Sequence, residues 1–157
     1  IESVDLGNLA EGICDRLSFV ASSNEISIET HCEHRIIEGN RKILEEIIYN
    51  LCDNAIKYNK KGGFVHVNVT GSGESTLLSV SDNGIGIPKE AQNRVFERFY
   101  RVDKSHSKEI GGTGLGLSIV KHGALYHNAK ITLESEPGKG TSITVIFPNK
   151  FKINSRE

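Results

Sequence analysis

Apolar residues recur at every third or fourth position between residues 41 and 58, and this rhythm predicts a helix with one face in the core. Asn40 precedes the rhythm, where a helix N-cap is expected. At about 100° per residue, Asn50, Asn54 and Lys57 fall together on a polar stripe beside the apolar face. This stripe predicts either a solvated helix edge or one wall of a polar cavity.

The remaining helices and strands follow from the same periodicities. A stripe of helical period after Asp5 predicts a first helix that ends near residues 22–24, and another stripe predicts a helix over residues 114–126. Alternation of apolar and polar residues predicts strands at residues 26–30, 35–38, 64–70, 75–81, 131–133 and 143–147. The strands at 64–70 and 75–81 are joined by a short glycine-containing link, which predicts a hairpin.

The segments between these elements are polar or rich in glycine. Pro88 predicts the start of a short helix that runs to about Arg94. Residues 101–113 are polar, show no period and predict a mobile loop. Helices on one face of a mixed, largely antiparallel sheet give a two-layer α/β sandwich of the α+β class, whose other sheet face is partly exposed to water. We expect residues 1–150 to form this single domain and residues 151–157 to be a frayed tail.

Composition and charge limit the partners of this domain. The formal net charge of -1 over 157 residues provides no basic field for nucleic acid or an anionic membrane surface, so we expect direct contact with neither. No apolar stretch has the length of a membrane helix. The three cysteines are widely spaced and lack metal-ligand spacing, which predicts reduced core thiols in the cytosol. Because the chain starts at Ile1 rather than methionine, we expect it to be part of a longer protein.

Two glycine-rich segments carry the candidate chemistry. Asp82 follows a predicted strand and precedes Gly84 and Gly86, so a carboxylate stands beside backbone that a flat ring can approach closely. When ionised it accepts hydrogen bonds, which suits the exocyclic amine of adenine. The simpler interpretation is an ordinary turn. Residues 112–116 read GTGLG before a predicted helix, where N–H groups can bind phosphate, although this spacing fits neither the Walker loop nor the dinucleotide fingerprint.

Four motifs in a fixed order resemble the catalytic, ATP-binding domain of bacterial sensor histidine kinases of the phosphate-sensor and cell-wall-sensor type. They resemble the N box at residues 50–58, the G1 box at residues 82–87, the F box at residues 96–101 and the G2 box at residues 112–117. The flanking sequences, such as Gly138-x-Gly140-Thr141, resemble the same family. The likeness covers nearly the whole chain.

The resemblance implies a Bergerat-type ATP-binding fold with ATP and Mg²⁺ as cofactors. It places adenine on Asp82 and Mg²⁺ on Asn54, with Asn50 one turn earlier in support of the metal and phosphates. Arg101 and Lys108 match lid cations that could reach the γ-phosphate. The full set of residues that the resemblance implies for ATP binding is Asn50, Asn54, Lys57, Tyr58, Asp82, Gly84, Gly86, Ile87, Arg101, Lys108, Gly112, Thr113, Gly114, Leu115, Gly116 and Leu117.

The resemblance also bears on the reaction. Gyrase-type and mismatch-repair ATPases share this ATP fold and place a water-activating glutamate one turn before the metal asparagine, where this chain has Asn50. An amide is not a useful general base at neutral pH, so we expect slow hydrolysis and transfer of the γ-phosphoryl group to another acceptor. In a histidine kinase the acceptor is a histidine on a separate dimerisation domain. None of the six histidines here has the sequence setting of that acceptor.

We therefore expect a cytoplasmic domain of a membrane-anchored sensor kinase in two-component signalling. Its expected partners are its own dimerisation domain and, indirectly, a response regulator. Without the dimerisation domain, which carries the acceptor histidine, we expect no autophosphorylation. Phe96 and Phe99 match aromatics that tie the lid to the rest of the kinase, although at least one residue among these two and Tyr100 is expected to be ordinary core. Two alternatives stay open: an anti-sigma-type serine kinase of the same ATP fold, and a non-catalytic binding module.

Overall fold

The computed structural model describes residues 1–100 and 115–152 of the chain. A 3₁₀ turn, Lys89–Ala91, lies between the fifth strand and the third helix. The elements follow in the order β1 (Glu2–Asp5), α1 (Leu6–Ser23), β2 (Ser27–Cys32), β3 (Ile36–Gly39), α2 (Arg41–Lys57), β4 (Phe64–Ser72), β5 (Ser75–Asp82), α3 (Gly116–Tyr126), β6 (Lys130–Glu136) and β7 (Gly140–Pro148).

Five strands form the main sheet in the order β2-β4-β5-β7-β6. β2 runs parallel to β4 and the other neighbouring pairs are antiparallel, which confirms the predicted mixed, largely antiparallel sheet. Alternate residues of β4, β5 and β7 are buried under the helices, whereas most residues between them are half-buried on the opposite face. The helices therefore cover one face of the sheet, and the two-layer α/β sandwich is confirmed.

Side-chain caps fix where the two long helices begin. Asp5 Oδ1 accepts the N–H of Asn8 at 3.0 Å, and Asn40 Oδ1 accepts the N–H of Ile43 at 3.1 Å. Each cap satisfies one of the backbone donors that a helix leaves unpaired in its first turn. The predicted starts of α1 and α2, and the end of α1 at Ser23, are confirmed.

Helix α3 packs closely against α2 near its C-terminal end. Gly123 makes this approach possible, because a Cβ there would lie 2.8 Å from Ile47 Cδ1 on α2. His127 is 2% exposed; its Nδ1 donates to the Gly123 carbonyl at 2.8 Å, and its Nε2 accepts the N–H of Asn40 at 3.1 Å. Burial lowers the pKa of His127, in keeping with this neutral form. His127 therefore packs between the helices and joins them.

Two segments differ from the predicted elements. β1 is a strand that the sequence pattern does not reveal, because in four residues only Val4 is buried and no alternation develops. It pairs with β3 in a separate two-stranded sheet. The short helix predicted from Pro88 to about Arg94 does start after Pro88, but it is a single 3₁₀ turn that ends at Ala91. The N–H groups of Ala91 and Gln92 bond to carbonyls three residues earlier, Gln92 donates its side-chain amide back to Ile87, and turns follow.

The thiols and the chain end also depart from expectation in part. Cys14 and Cys52 are buried as predicted, but Cys32 is only half-buried, and desolvation raises the pKa of its thiol to about 11. The tail was expected to fray from residue 151, yet the N–H of Phe151 donates to Glu38 at 3.0 Å and its ring lies 5.4 Å from that of Tyr126. Residues 153–157, and the loop predicted at residues 101–113, lie outside the described residues.

No helix within residues 1–100 and 115–152 combines the length and apolar character needed to cross a bilayer.

Candidate functional site

The C-terminal half of α2 and the loop of residues 82–88 lie side by side and form the candidate site. The backbone N–H of Ile85 donates to the carbonyl of Tyr58 at 3.2 Å. Gly84 lies so close to the same carbonyl that a Cβ on it would overlap the oxygen. The fold therefore places the loop that begins at Asp82 against the end of α2 that carries the polar stripe.

The turn between β6 and β7 supports this loop from its other side. The N–H of Gly138 donates to the carbonyl of Ile85, and the N–H of Ile87 donates to Ser135 Oγ, both at 2.8 Å. Gly86 has a φ of +72°, and a Cβ there would overlap the backbone at the end of β6. Only glycine combines this conformation with such a close approach. Backbone contacts on both sides therefore fix the shape of the loop.

Asp82 ends β5 at the base of the loop. Its Oδ1 accepts the N–H of Gly84 at 2.9 Å. Burial raises the pKa of the Asp82 carboxyl to about 6, opposed by smaller lowering from the N–H groups of Gly84 and Thr141. A carboxylate has about four acceptor positions, so it retains capacity for a donor from a ligand. The site can thus recognise an N–H group at this end.

Asn50 and Asn54 place two amides one turn apart on α2, and both residues are half-buried. Asn50 Nδ2 donates to the carbonyl of Glu46 at 2.7 Å, which fixes the orientation of the amide. Its Oδ1 then faces the start of α3, 3.3 Å from where a Cβ on Gly116 would stand. Gly116 therefore leaves room for the amide oxygen at the helix N-terminus.

Lys57 lies on the same flank and forms an ion pair there. Its Nζ is 2.9 Å from Asp53 Oδ2, one helical turn earlier. Tyr58 is half-buried and closes the helix, because its N–H donates to the carbonyl of Asn54 at 3.0 Å. The polar stripe predicted on α2 is therefore present, and it includes a carboxylate that the prediction left out.

The glycine-rich segment is described only at its end. Gly116 begins α3, and Leu115 precedes it. The side chain of Leu117 is 9% exposed and belongs to the core, so any contact of this residue with a nucleotide would come from its backbone, and its role stays a prediction. The other predicted residues of the lid and of this segment, namely Arg101, Lys108, Gly112, Thr113 and Gly114, lie outside the described residues.

The three aromatic residues just before residue 101 have different surroundings. Phe96 and Tyr100 pack partly against the core, and the guanidinium of Arg94 lies 4.6 Å from the centre of the Tyr100 ring. Phe99 is 64% exposed and has a φ of +63°, which non-glycine residues seldom adopt. The expectation that at least one of the three is ordinary core is confirmed. Phe99 instead presents its ring to solvent.

Several residues that support the site are missing from the predicted set. Ser135 and Gly140 hold the loop and Asp82 from the β6–β7 turn, and Asp53 pairs with Lys57. The four-residue spacing of Asp53 and Lys57 is a visible signal for an ion pair on a helix. The contacts of Ser135 and Gly140 leave no such signal, because they depend on strands that are distant in sequence.

The oxygen atoms on α2 fit a magnesium ion shared with phosphates. Mg²⁺ keeps several waters and usually takes only one or two protein oxygens in addition to those of the substrate. The amide of Asn50 is oriented by its own N–H bond to Glu46, so that its oxygen is the atom left to accept. Asn54 lies one turn further along the same flank. These residues could hold the ion without a carboxylate ligand.

Comparison with known proteins gives a consistent result. Residues 39–150 match the family described as "Histidine kinase-, DNA gyrase B-, and HSP90-like ATPase". SenX3 of Mycolicibacterium smegmatis, named a sensor-like histidine kinase, is 41% identical over 150 residues, which cover 94% of this chain and 39% of SenX3. The sensor histidine kinase WalK of Bacillus subtilis is 38% identical over 144 residues, covering 85% of this chain and 24% of WalK.

A solved structure is similar over the whole domain. The mycobacterial sensor histidine kinase MprB matches with a TM-score of 0.80 and 27% identity, covering 96% of this chain and 100% of that one. The present chain spans less than half the length of SenX3 and of WalK.

Proposed function

The chain belongs to the histidine kinase-, DNA gyrase B- and HSP90-like ATPase family, and on that basis we propose that it binds Mg·ATP and supplies the γ-phosphoryl group to a histidine on another domain of a sensor kinase. One observation carries the proposal. The hydrogen bond from Ile85 to Tyr58 joins the Asp82 loop to the α2 flank that bears Asn54 and Lys57. An acceptor for a base and ligands for phosphates therefore share one wall.

At one end of this wall, Asp82 would accept a hydrogen bond from the exocyclic amine of adenine. The amine donates and the ionised carboxylate only accepts, so the pairing selects adenine over guanine, which presents a carbonyl at that position. Gly84 and Gly86 lack side chains and allow the base to approach the backbone. Fixed backbone on both sides of the loop preserves this geometry before nucleotide binds.

At the other end, Asn54 and Asn50 would hold Mg²⁺ and Lys57 would contact a phosphate. When bound, the ion neutralises charge that develops on the phosphoryl group during transfer. Asn50 stands where a water-activating glutamate would be needed for hydrolysis, and an amide does not take a proton at neutral pH. The γ-phosphoryl group is thus preserved for a protein acceptor.

The acceptor and its setting belong to other parts of the kinase. Among the described histidines, His127 is buried between helices, and His34 and His66 pair with Asp5 and Glu29. None of these settings resembles an acceptor helix. We propose that a separate dimerisation domain carries the acceptor histidine, that a response regulator receives the phosphoryl group from it, and that this domain works in the cytoplasm of a membrane-anchored sensor.

Nucleotide-dependent thermal unfolding tests the binding step. Saturation with Mg·ATP at about 100 times Kd should add about 2.7 kcal/mol to the free energy of unfolding. Mg·GTP at the same concentration is the control and should add much less, since Asp82 cannot pair with its base. Equal shifts with both nucleotides would argue against adenine recognition by Asp82. No shift with Mg·ATP would favour a non-catalytic module.

Radiolabel transfer tests the reaction. With γ-labelled ATP, acid-labile label should appear on an added dimerisation domain that bears its histidine, and not on the chain by itself. Label on serine of a partner protein would favour the anti-sigma type of kinase. Rapid release of inorganic phosphate by the chain alone would contradict the role given to Asn50.

A further inference from the structure

Asp53 and Lys57 form an ion pair at the end of α2 that faces the proposed phosphate site. Lys57 Nζ lies 2.9 Å from Asp53 Oδ2. The lysine side chain is 38% exposed, whereas the aspartate side chain is 18% exposed. The carboxylate is therefore the more buried partner, and the ammonium is the one that can reach a ligand.

This pair is a weak candidate for a purely stabilising contact. Partly exposed ion pairs one helical turn apart contribute little to the free energy of unfolding. Its placement is more informative. The pairing draws the lysine ammonium back along the helix to Asp53, and Asn54, the proposed metal ligand, follows Asp53 directly in the sequence.

We infer that Asp53 is a positioning residue, which holds the Lys57 ammonium in place for the nucleotide phosphates; the inference rests on the proposed function. An ammonium has three donors, and the carboxylate uses one, so the others can reach phosphate oxygens without breaking the pair. Protein kinases of an unrelated fold also position their phosphate-binding lysine by an ion pair, in that case with a glutamate. Asp53 does not contact the reacting atoms.

An alternative role for Asp53 predicts the opposite change in nucleotide affinity when its carboxylate is removed. If the carboxylate competed with phosphates for Lys57, or simply repelled them, its removal would tighten nucleotide binding. If it positions the ammonium, removal leaves a long side chain with many rotamers, whose ordering then opposes binding. The two roles predict shifts of opposite sign in the same measurement.

The experiment measures the dissociation constants of adenosine, ADP and ATP, with Mg²⁺ present, for wild type, Asp53→Asn, Asp53→Glu and Glu45→Gln. Asp53→Asn should weaken ATP and ADP about three- to tenfold and adenosine less than about twofold, because only phosphates use Lys57. Asp53→Glu retains a carboxylate one turn from Lys57 and should bind all three ligands about as tightly as wild type. Glu45→Gln removes the same charge from α2 away from the pair, and should leave all three constants unchanged.

A double-mutant cycle completes the test. In the Lys57→Met background, Asp53→Asn should change ATP affinity less than about twofold, because the two residues act through one interaction. Tighter ATP binding by Asp53→Asn, equal weakening of adenosine, or failure of Asp53→Glu to restore affinity would overturn the inference. Adenosine binding reports that each variant retains a folded site. Wild type that binds neither adenosine nor ATP would instead refute the proposed function, and the inference with it.

Discussion

The two ends of the candidate site are built in different ways. At the adenine end, the loop of residues 82–88 is held by backbone: Ile85 bonds to Tyr58 on one side and to Gly138 on the other, and Gly84 touches a carbonyl. At the phosphate end, the functional groups are side chains on the flank of a helix, and their partners are other side chains, as for Lys57 and Asp53.

This difference decides what substitutions do. Backbone cannot yield to an added atom without a shift of the whole strand or turn, so changes at the adenine end should cost stability and base recognition together. Side chains can change rotamer, so changes at the phosphate end should alter affinity for charged nucleotides while the fold persists. Substitutions at the two ends therefore test this division.

The largest effect is expected for Gly140→Ala. Gly140 has a φ of +125°, and an added Cβ would overlap the carbonyl oxygen of Asp82. Backbone strain and the overlap each oppose folding, so the free energy of unfolding should fall by about 3 kcal/mol or more, as measured by urea denaturation.

Gly138→Ala is the matched control for that prediction. Gly138 also has a positive φ, +79°, but a Cβ there would meet nothing within 4 Å. Its loss should be about 1 kcal/mol, the effect of a positive φ without any overlap. If the two variants lost equal stability, the contact between Gly140 and Asp82 would not support the adenine end as described.

The next effect is on affinity. Asp82→Asn removes the charge that the adenine amine would pair with, and binding of adenosine, ADP and ATP should weaken by the same factor, about ten- to a hundredfold. Isothermal titration calorimetry with each ligand measures that factor. Unequal factors that grew with the number of phosphates would place Asp82 at the phosphate end and remove the division between the two ends.

A change of pH should act at the adenine end with two opposite signs. Burial raises the pKa of Asp82 from 3.8 to about 6, so the folded protein binds this proton more tightly than the unfolded chain. Through this group, the free energy of unfolding without ligand falls as pH rises from about 4 to about 6. Adenosine needs the ionised form, so its affinity should instead rise over that window.

Adenosine is the right probe because it carries no phosphate to titrate. Between pH 7.5 and pH 5 its affinity should fall about tenfold, since only about one Asp82 in ten is then ionised. The Asp82→Asn variant is the control and should show no such dependence. The same pH profile in that variant would assign the titration to another group.

The sequence pattern predicts most of the fold because its signals are local. The cap at Asn40, the stripe of α2 and the alternation in β4 and β5 each depend on neighbours within one turn or one hairpin. β1 is not predicted, because four residues are too few to show an alternating pattern. The proposed site residues come from motif order, whereas the supports of the Asp82 loop come from β6 and β7, which no local pattern connects to it.

The packing of α3 on α2, the helix that carries the phosphate end, allows the same substitution to be made at a side-chain contact. In Gly123→Ala, the new Cβ would lie 2.8 Å from the tip of Ile47 and 3.0 Å from a methyl group of Ile43. Both are side-chain atoms that can move, and alanine favours a helix by about 1 kcal/mol over glycine. The overlap opposes that gain, so the free energy of unfolding should change by less than about 1 kcal/mol. A loss as large as that of Gly140→Ala would show that this junction is as rigid as the adenine end, and the proposed division of the site would then have no structural basis.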